Sequence, residues 1–192
     1  MPPDFSIEGG VDLVVFGTLA QRFKGVSSAT QQIIHAYQGA ARLYDVNLRP
    51  GCWDPPLVER LLELATVVKL NEDELTTLAG ALGLPDSPIE RFARTVCARF
   101  DLRGVCVTRG AAGATLLLDD VYREAPARHV DVVDTVGAGD AFAAGLGHGL
   151  IRSWTVPEIL SVASRLGAFV ASHVGALPAW DPAGIGIAEM RP

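Results

Sequence analysis

Asp134-Thr135-Val136-Gly137-Ala138-Gly139-Asp140, continued by Ala141-Phe142-Ala143-Ala144-Gly145-Leu146, sets three small residues ahead of a run that reads as a helix. Gly137 and Gly139 open backbone conformations closed to residues with a side chain, and let a ligand approach the main chain closely. The first turn of the helix leaves N–H groups without intrahelical partners, and the helix dipole adds partial positive charge. The stretch is therefore an anion site in type. Asp140 stands at its mouth, where a carboxylate is useful if it accepts a proton instead of binding the anion. The same residues also suit a plain glycine turn with an acid favoured at a helix start. The rest of the chain decides between the two readings.

Strand and helix patterns alternate upstream. Val11–Gly17 is short and almost wholly apolar, as buried parallel strands are. Thr18–Arg22 reads as a connection, and residues 26–39 as a helix with Ser27 and Ser28 as caps and Gly39 at its end. A second strand spans Arg42–Leu48, and a helix over 54–65 opens on Asp54 with Pro55-Pro56 in its first turn. Thr66–Leu70 is the third strand and runs into Asn71-Glu72-Asp73-Glu74, which starts a helix to about residue 80. Ser87–Phe100 is helical, with Ile89, Phe92, Ala93, Val96 and Phe100 at helical spacing. Gly104–Thr108 is the fourth strand. Ala114–Leu118 and Val121–Val130 then form a hairpin around Asp119-Asp120. Helices over 138–151 and 157–173 follow, and Gly175–Pro192 reads as loop.

This alternation implies an α/β fold, a mostly parallel sheet flanked by helices with a later β-hairpin, in a single domain over residues 1–192. Ligands of such sheets gather beyond the carboxyl ends of the strands. Asn47 and Arg49, Asn71 and Glu74, and Thr108 and Arg109 each follow a strand's carboxyl end, and the opening stretch is expected on the same rim.

Composition bounds the function classes. The 192 residues are 49% hydrophobic and 20% charged, which is globular, and the net charge of −6 argues against a general nucleic-acid binder. Acidity does not exclude phosphate, because backbone amides and helix ends supply local positive potential. Cys52, Cys97 and Cys106 are odd in number and lack a CxxC pair, which suits a reducing cytoplasm. His35, His129, His148 and His173 have no zinc spacing. The start, Met1-Pro2-Pro3-Asp4, shows no signal-peptide pattern, and no apolar run reaches about 18 residues, so no membrane partner is expected.

Asp134–Asp140 with 141–145 resembles the DTxGAGD signature of the ribokinase-like, or PfkB-type, carbohydrate kinases. Asp45-Val46-Asn47-Leu48-Arg49, the NxxE of Asn71–Glu74, Val107-Thr108-Arg109-Gly110 and the late Gly175-Ala176 are similar to further family segments, in order. Phe16-Gly17-Thr18-Leu19-Ala20 and the DxNxR segment lean towards the fructokinase and 2-keto-3-deoxygluconate kinase branch. The resemblance implies a three-layer ribokinase-like fold, cut to its nucleotide-binding part. Family members carry a further N-terminal portion with a small lid sheet and a GG-containing sugar motif, for which Gly9-Gly10 lacks the flanking pattern.

It implies transfer of the γ-phosphate of ATP to a hydroxyl of fructose or a related hexose or keto-sugar acid. Asp140 would be the base, and the amides of Gly137, Ala138 and Gly139 the anion hole. Thr108, Arg109, Gly110, Gly113, Gly139 and His173 would face the nucleotide, and Asn47 and Arg49 the phosphate or sugar. Asn71 and Glu74 would hold Mg²⁺ through waters, and Asp134 with the Val136 carbonyl a K⁺ ion. No GK[ST] follows the glycines, so the P-loop lysine is not part of this chemistry. The residues also admit plainer roles: a capping box for Asn71 and Glu74, a surface arginine held by Asp45 or Asp54 for Arg49, and a helix-end histidine for His173. A non-catalytic nucleotide-binding remnant, a homodimer and a kinase completed by a separate N-terminal half stay open.

Overall fold

The computed structural model describes residues 9–181 and residue 185, so Met1–Glu8 and most of the tail read as loop lie outside the described residues. Six strands form one sheet in chain order. They are β1 (Leu13–Gly17), β2 (Ala41–Asp45), β3 (Val67–Asn71), β4 (Gly104–Thr108), β5 (Ala114–Leu118) and β6 (Val121–Ala125). The first four are parallel, with Gly17 opposite Asp45, Asp45 opposite Lys69 and Asn71 opposite Thr108. Their carboxyl ends therefore share one edge, as the alternating pattern requires. The two-residue turn Asp119-Asp120, with φ of 47° and 66°, joins β5 to β6 as a hairpin.

The chain clusters into two compact units: residues up to Thr108 with Leu117–Val121, and Arg109–Leu116 with residues from Tyr122 onward. In the first unit β3 is buried from Val67 to Leu70 without a break and β4 from Gly104 to Val107, whereas β1, expected as a buried strand, buries only Phe16 and leaves Val15 exposed. Leu43, Tyr44, Val68, Leu70 and Val107 are each fully buried beside Leu62, Leu78 and Phe92 from the helices. These helices are α2 (Lys24–Ala36), α3 (Pro55–Leu64), α4 (Glu72–Ala81) and α5 (Ile89–Phe100). Asp54 caps α3 by accepting from the Leu57 amide at 2.8 Å, and α5 buries Phe92, Ala93 and Val96 on one face. A charged pair crosses this core: Lys69 Nζ lies 3.0 and 3.2 Å from the Asp45 carboxylate oxygens. Cys106 sits next to Lys69 in the register and is fully buried, and burial pushes its thiol up to about 12.

Local readings were corrected in three places. Thr18–Gln21, expected as a connection, is a short helix, α1, with Thr18 and Gln21 buried. Helix α2 starts at Lys24, because the Phe23 carbonyl already accepts the Ser27 amide at 2.9 Å; Ser27 and Ser28 lie inside it and cap nothing, and it ends at Ala36 ahead of Gly39. Strand β6 ends at Ala125, not Val130, since Pro126 has no N–H to continue a ladder.

The second unit is built on α6 (Ala138–Ile151) and α7 (Val156–Ala171). Glu158 accepts from the Thr155 amide at 2.8 Å, which starts α7. Two of the four glycines within α6 are explained by packing. A Cβ on Gly145 would fall 2.7 Å from Ala163 Cα, and one on Gly149 would fall 2.6 Å from Ile159 Cγ1. Among the described residues no helix is long and apolar enough to cross a membrane.

Candidate active site

In the second unit, Val133 and Asp134 donate to the Ala171 carbonyl at 2.9 and 3.2 Å, fixing the approach to α6 at the end of α7. The Asp134 carboxylate then takes the Val136 amide on one oxygen at 3.0 Å and the Gly175 amide on the other at 3.1 Å. These amide donors, Val136 before Gly175, hold its carboxyl below the usual carboxylate range. Gly137 is the N-cap of α6 at φ +81°, with no side-chain cap bond. A Cβ there would lie 2.7 Å from both Ala176 Cα and Cβ, so the left-handed turn and the tight approach both call for glycine. The helix ladder starts with Ala141 donating to the Gly137 carbonyl at 2.9 Å. Among the described residues, the Gly139 and Asp140 amides find no acceptor. Asp140 is the third residue of the first turn, exposed, and its carboxylate enters no ion pair among the described residues. The arrangement is an uncapped helix start with open amides and a free carboxylate on its rim.

The remaining nucleotide candidates of this unit stand around one stretch. Arg109 reaches Glu124 at 3.1 Å, and its Nε is buried without a partner. Gly110 and Gly113 have φ of 52° and 94°, and a Cβ on Gly113 would strike the Ala125 carbonyl at 2.0 Å. Residues 124–130 and α7 enclose a cleft of about 640 Å³, lined on the helix side by Leu160, Ser161 and Ser164. The Ser164 hydroxyl is buried and has no partner among the described residues. The sequence reading missed this cleft, because a serine inside a helix carries no local signal. His173 does not line it. Its Nδ1 is 2.8 Å from the Phe169 carbonyl, which can only accept, so that nitrogen carries the proton and serves the end of α7.

In the first unit, Asn47 and Arg49 follow β2 and are exposed. Asp45 is engaged by Lys69 and Asp54 caps α3, and among the described residues no ion pair joins Arg49 to either. Asn71 and Glu74 form a full capping box on α4: Asn71 Oδ1 accepts from the Glu74 amide at 2.9 Å, and Glu74 Oε2 accepts from the Asn71 amide at 2.9 Å. Glu74 Oε1 also accepts from the Leu48 amide at 2.8 Å, a contact across 26 residues. Thr108, the last residue of β4, is directed at the Leu70 carbonyl at 3.4 Å.

Comparison with known proteins places this geometry in a family. The pfkB family carbohydrate kinase model matches residues 11–182. Aminoimidazole riboside kinase of Salmonella typhimurium is 36% identical over 73% of this chain and 46% of its own length. A fructokinase of Klebsiella pneumoniae is 35% identical over 71% of this chain and 46% of its own. The chain thus spans about half the length of these curated relatives. Among solved structures, aminoimidazole riboside kinase from Salmonella enterica, complexed with aminoimidazole riboside and an ATP analog, superposes with a TM-score of 0.77 at 29% identity. It covers 92% of this chain and 62% of that one. Fructokinase from Vibrio cholerae, in its fructose, ADP and calcium ion bound form, gives 0.75 at 26% identity over 92% and 59%. The α/β fold is the ribokinase-like one that the resemblance implied, and the chain belongs to the pfkB family of carbohydrate kinases.

Proposed function

We propose that this chain carries the phosphoryl-transfer part of an ATP-dependent sugar kinase, with fructose or a related sugar as acceptor. The observation that carries the reading is the start of α6: a left-handed glycine cap, open amides at Gly139 and Asp140, and a free, exposed Asp140 carboxylate in one turn. Phosphoryl transfer asks little covalent chemistry of a protein; positioning and charge stabilisation do most of the work. Asp140 takes the proton of the acceptor hydroxyl as its oxygen attacks the γ-phosphorus, and the bond from that phosphorus to the β,γ-bridging oxygen breaks to release ADP. The amides of Gly137 and Gly139, and that of Ala138, which here donates to the Thr135 carbonyl at 3.3 Å, would face the negative charge that grows on the transferred group, aided by the helix dipole. Asp134 keeps that turn rigid, so its dipoles need no reorganisation during the reaction.

The base of ATP is assigned to the cleft between residues 124–130 and α7, where Ser164 offers an unused hydroxyl. Arg109 and Gly113 meet its edge at Glu124 and Ala125, and Thr108 and Gly110 are assigned to the nucleotide with them. Asn47 and Arg49 are assigned to phosphate or sugar.

Asn71 and Glu74 are the groups for Mg²⁺. A carboxylate accepts about four hydrogen bonds in all, and Glu74 spends two on amides, so the donor set fits a hydrated Mg²⁺ held through its waters. When bound, the metal would neutralise charge on the phosphates. A double mutant of the Vibrio cholerae fructokinase has been solved with potassium ion bound; here Asp134 and the Val136 carbonyl would hold a monovalent cation.

Because the chain spans about half of its relatives, the activity is proposed for the protein that contains this region. The test is ATP turnover over a panel of sugars, with Asp140→Asn beside it. Loss of the base should lower turnover about 10²–10⁴-fold with the fold intact. ATP binding without turnover on any sugar would leave a nucleotide-binding module, and absence of ATP binding would overturn the whole reading.

A further inference from the structure

Asn47 has a positive φ, 40°, although it is not glycine. Asparagine tolerates this region better than most residues, yet such strain persists only where the surroundings over-determine it. The two peptide planes that define its φ and ψ are each held from outside. The plane before it carries the Val46 carbonyl, which accepts from the Thr18 hydroxyl. Thr18 has a single proton, so the Tyr44 hydroxyl, 2.6 Å away, must donate to Thr18, and this orients the Thr18 bond. The plane after it carries the Leu48 amide, which donates to Glu74 Oε1 at 2.8 Å. The same carboxylate grips the Asn71 amide, so Glu74 ties the end of β2 to the end of β3. Thr18 and Tyr44 are fully buried and Glu74 is 9% exposed, whereas Asn47 between them is exposed, with no side-chain partner among the described residues.

We propose that Thr18 and Glu74 are positioning residues: together they lock the backbone of Asn47 in its left-handed conformation and so aim its side chain off the carboxyl edge of the sheet. Glu74 performs this whether or not a metal is bound. The assignment of Asn47 to a ligand rests on the proposed kinase function; the lock itself does not.

The experiment uses the whole chain, metal-free first. In Glu74→Gln only one of the two amides can keep its acceptor, and in Thr18→Val the Val46 carbonyl loses its donor at unchanged shape. Both variants should move the Asn47 Cα and Cβ chemical shifts from left-handed towards extended values. In Glu74→Gln the Leu48 or Asn71 amide should exchange about tenfold faster, as expected when a charge-assisted bond is lost. With Mg²⁺, ATP and sugar, both variants should lower kcat even at saturating Mg²⁺; Thr18→Val, which touches no group assigned to the metal, should keep its Mg²⁺ concentration for half-maximal rate within about twofold, while Glu74→Gln should also need more Mg²⁺. Unchanged Asn47 shifts in both variants overturn the proposal, as does full recovery of Glu74→Gln by excess Mg²⁺. If the parent chain has no turnover, the kinase reading falls while the shifts and exchange still decide the lock.

Discussion

Replacing Gly137 by alanine tests whether the turn ahead of α6 is anchored as described. Two separate costs follow from the structure. First, φ is +81°, and a residue with a Cβ in the left-handed region is disfavoured by about 1–2 kcal/mol. Second, the new Cβ would stand 2.7 Å from Ala176 Cα and Cβ and 2.9 Å from its carbonyl oxygen. Two of these three are main-chain atoms, so no side-chain rotation relieves the overlap, and forced repacking costs about 1–3 kcal/mol. The sum is about 2–5 kcal/mol. Gly175→Ala separates the two effects. Its φ is +83°, but a Cβ there meets nothing within 4 Å, so only the conformational cost of about 1–2 kcal/mol applies. The Gly175 amide still donates to Asp134 in that variant. Urea unfolding of the chain and both variants, with a common m-value, reads the difference. Gly137→Ala should be less stable than Gly175→Ala by about 1–3 kcal/mol, the overlap term alone. Equal losses would show that the turn does not lie against Ala176, and the anion hole would lose its structural support.

Lys69→Met should cost about 3–5 kcal/mol, because it leaves the Asp45 carboxylate buried without its cation. Pairing it with Asp45→Leu should recover most of that loss, read by thermal or urea unfolding. The Asp134 link has a definite sign with pH. Its carboxyl is held below its ordinary value by the Val136 and Gly175 amides, so the stabilisation is present above the normal carboxylate pKa. It is lost as pH falls through the lowered folded value. Exchange protection of the Val136 and Gly175 amides, followed by NMR from neutral to acid, should therefore fall only at the acid end, and Asp134→Asn should abolish that pH dependence.

Much of the fold was legible because its causes are local. The apolar runs of β3 and β4, the Asp54 cap with its prolines, and the Asn71 to Glu74 capping box all lie within a few residues of their effects. Errors arose where a local signal met a competing one. Ser27 and Ser28 are good caps, but the Phe23 carbonyl had already begun the helix. Apolar residues continue past β6, but Pro126 stops the ladder.

For the candidate site, the sequence by itself determined the residue types and their order: glycines at a helix start, an acid three residues on, and polar residues at three strand ends. It did so because backbone permissiveness and helix-end charge are properties of a few consecutive residues. Only the tertiary structure decided which polar groups are held and which are free. Asp45 is taken by Lys69, Glu74 reaches the Leu48 amide, Thr18 reaches Val46, and Asp134 reaches Gly175 across 41 residues, while Asp140 stays unpaired among the described residues. The same holds for Gly145 and Gly149 of α6, whose reason is the approach of α7. Hydrogen bonds and close packing act between neighbours in space, and a chain that folds back on itself sets those neighbours far from where its sequence lists them.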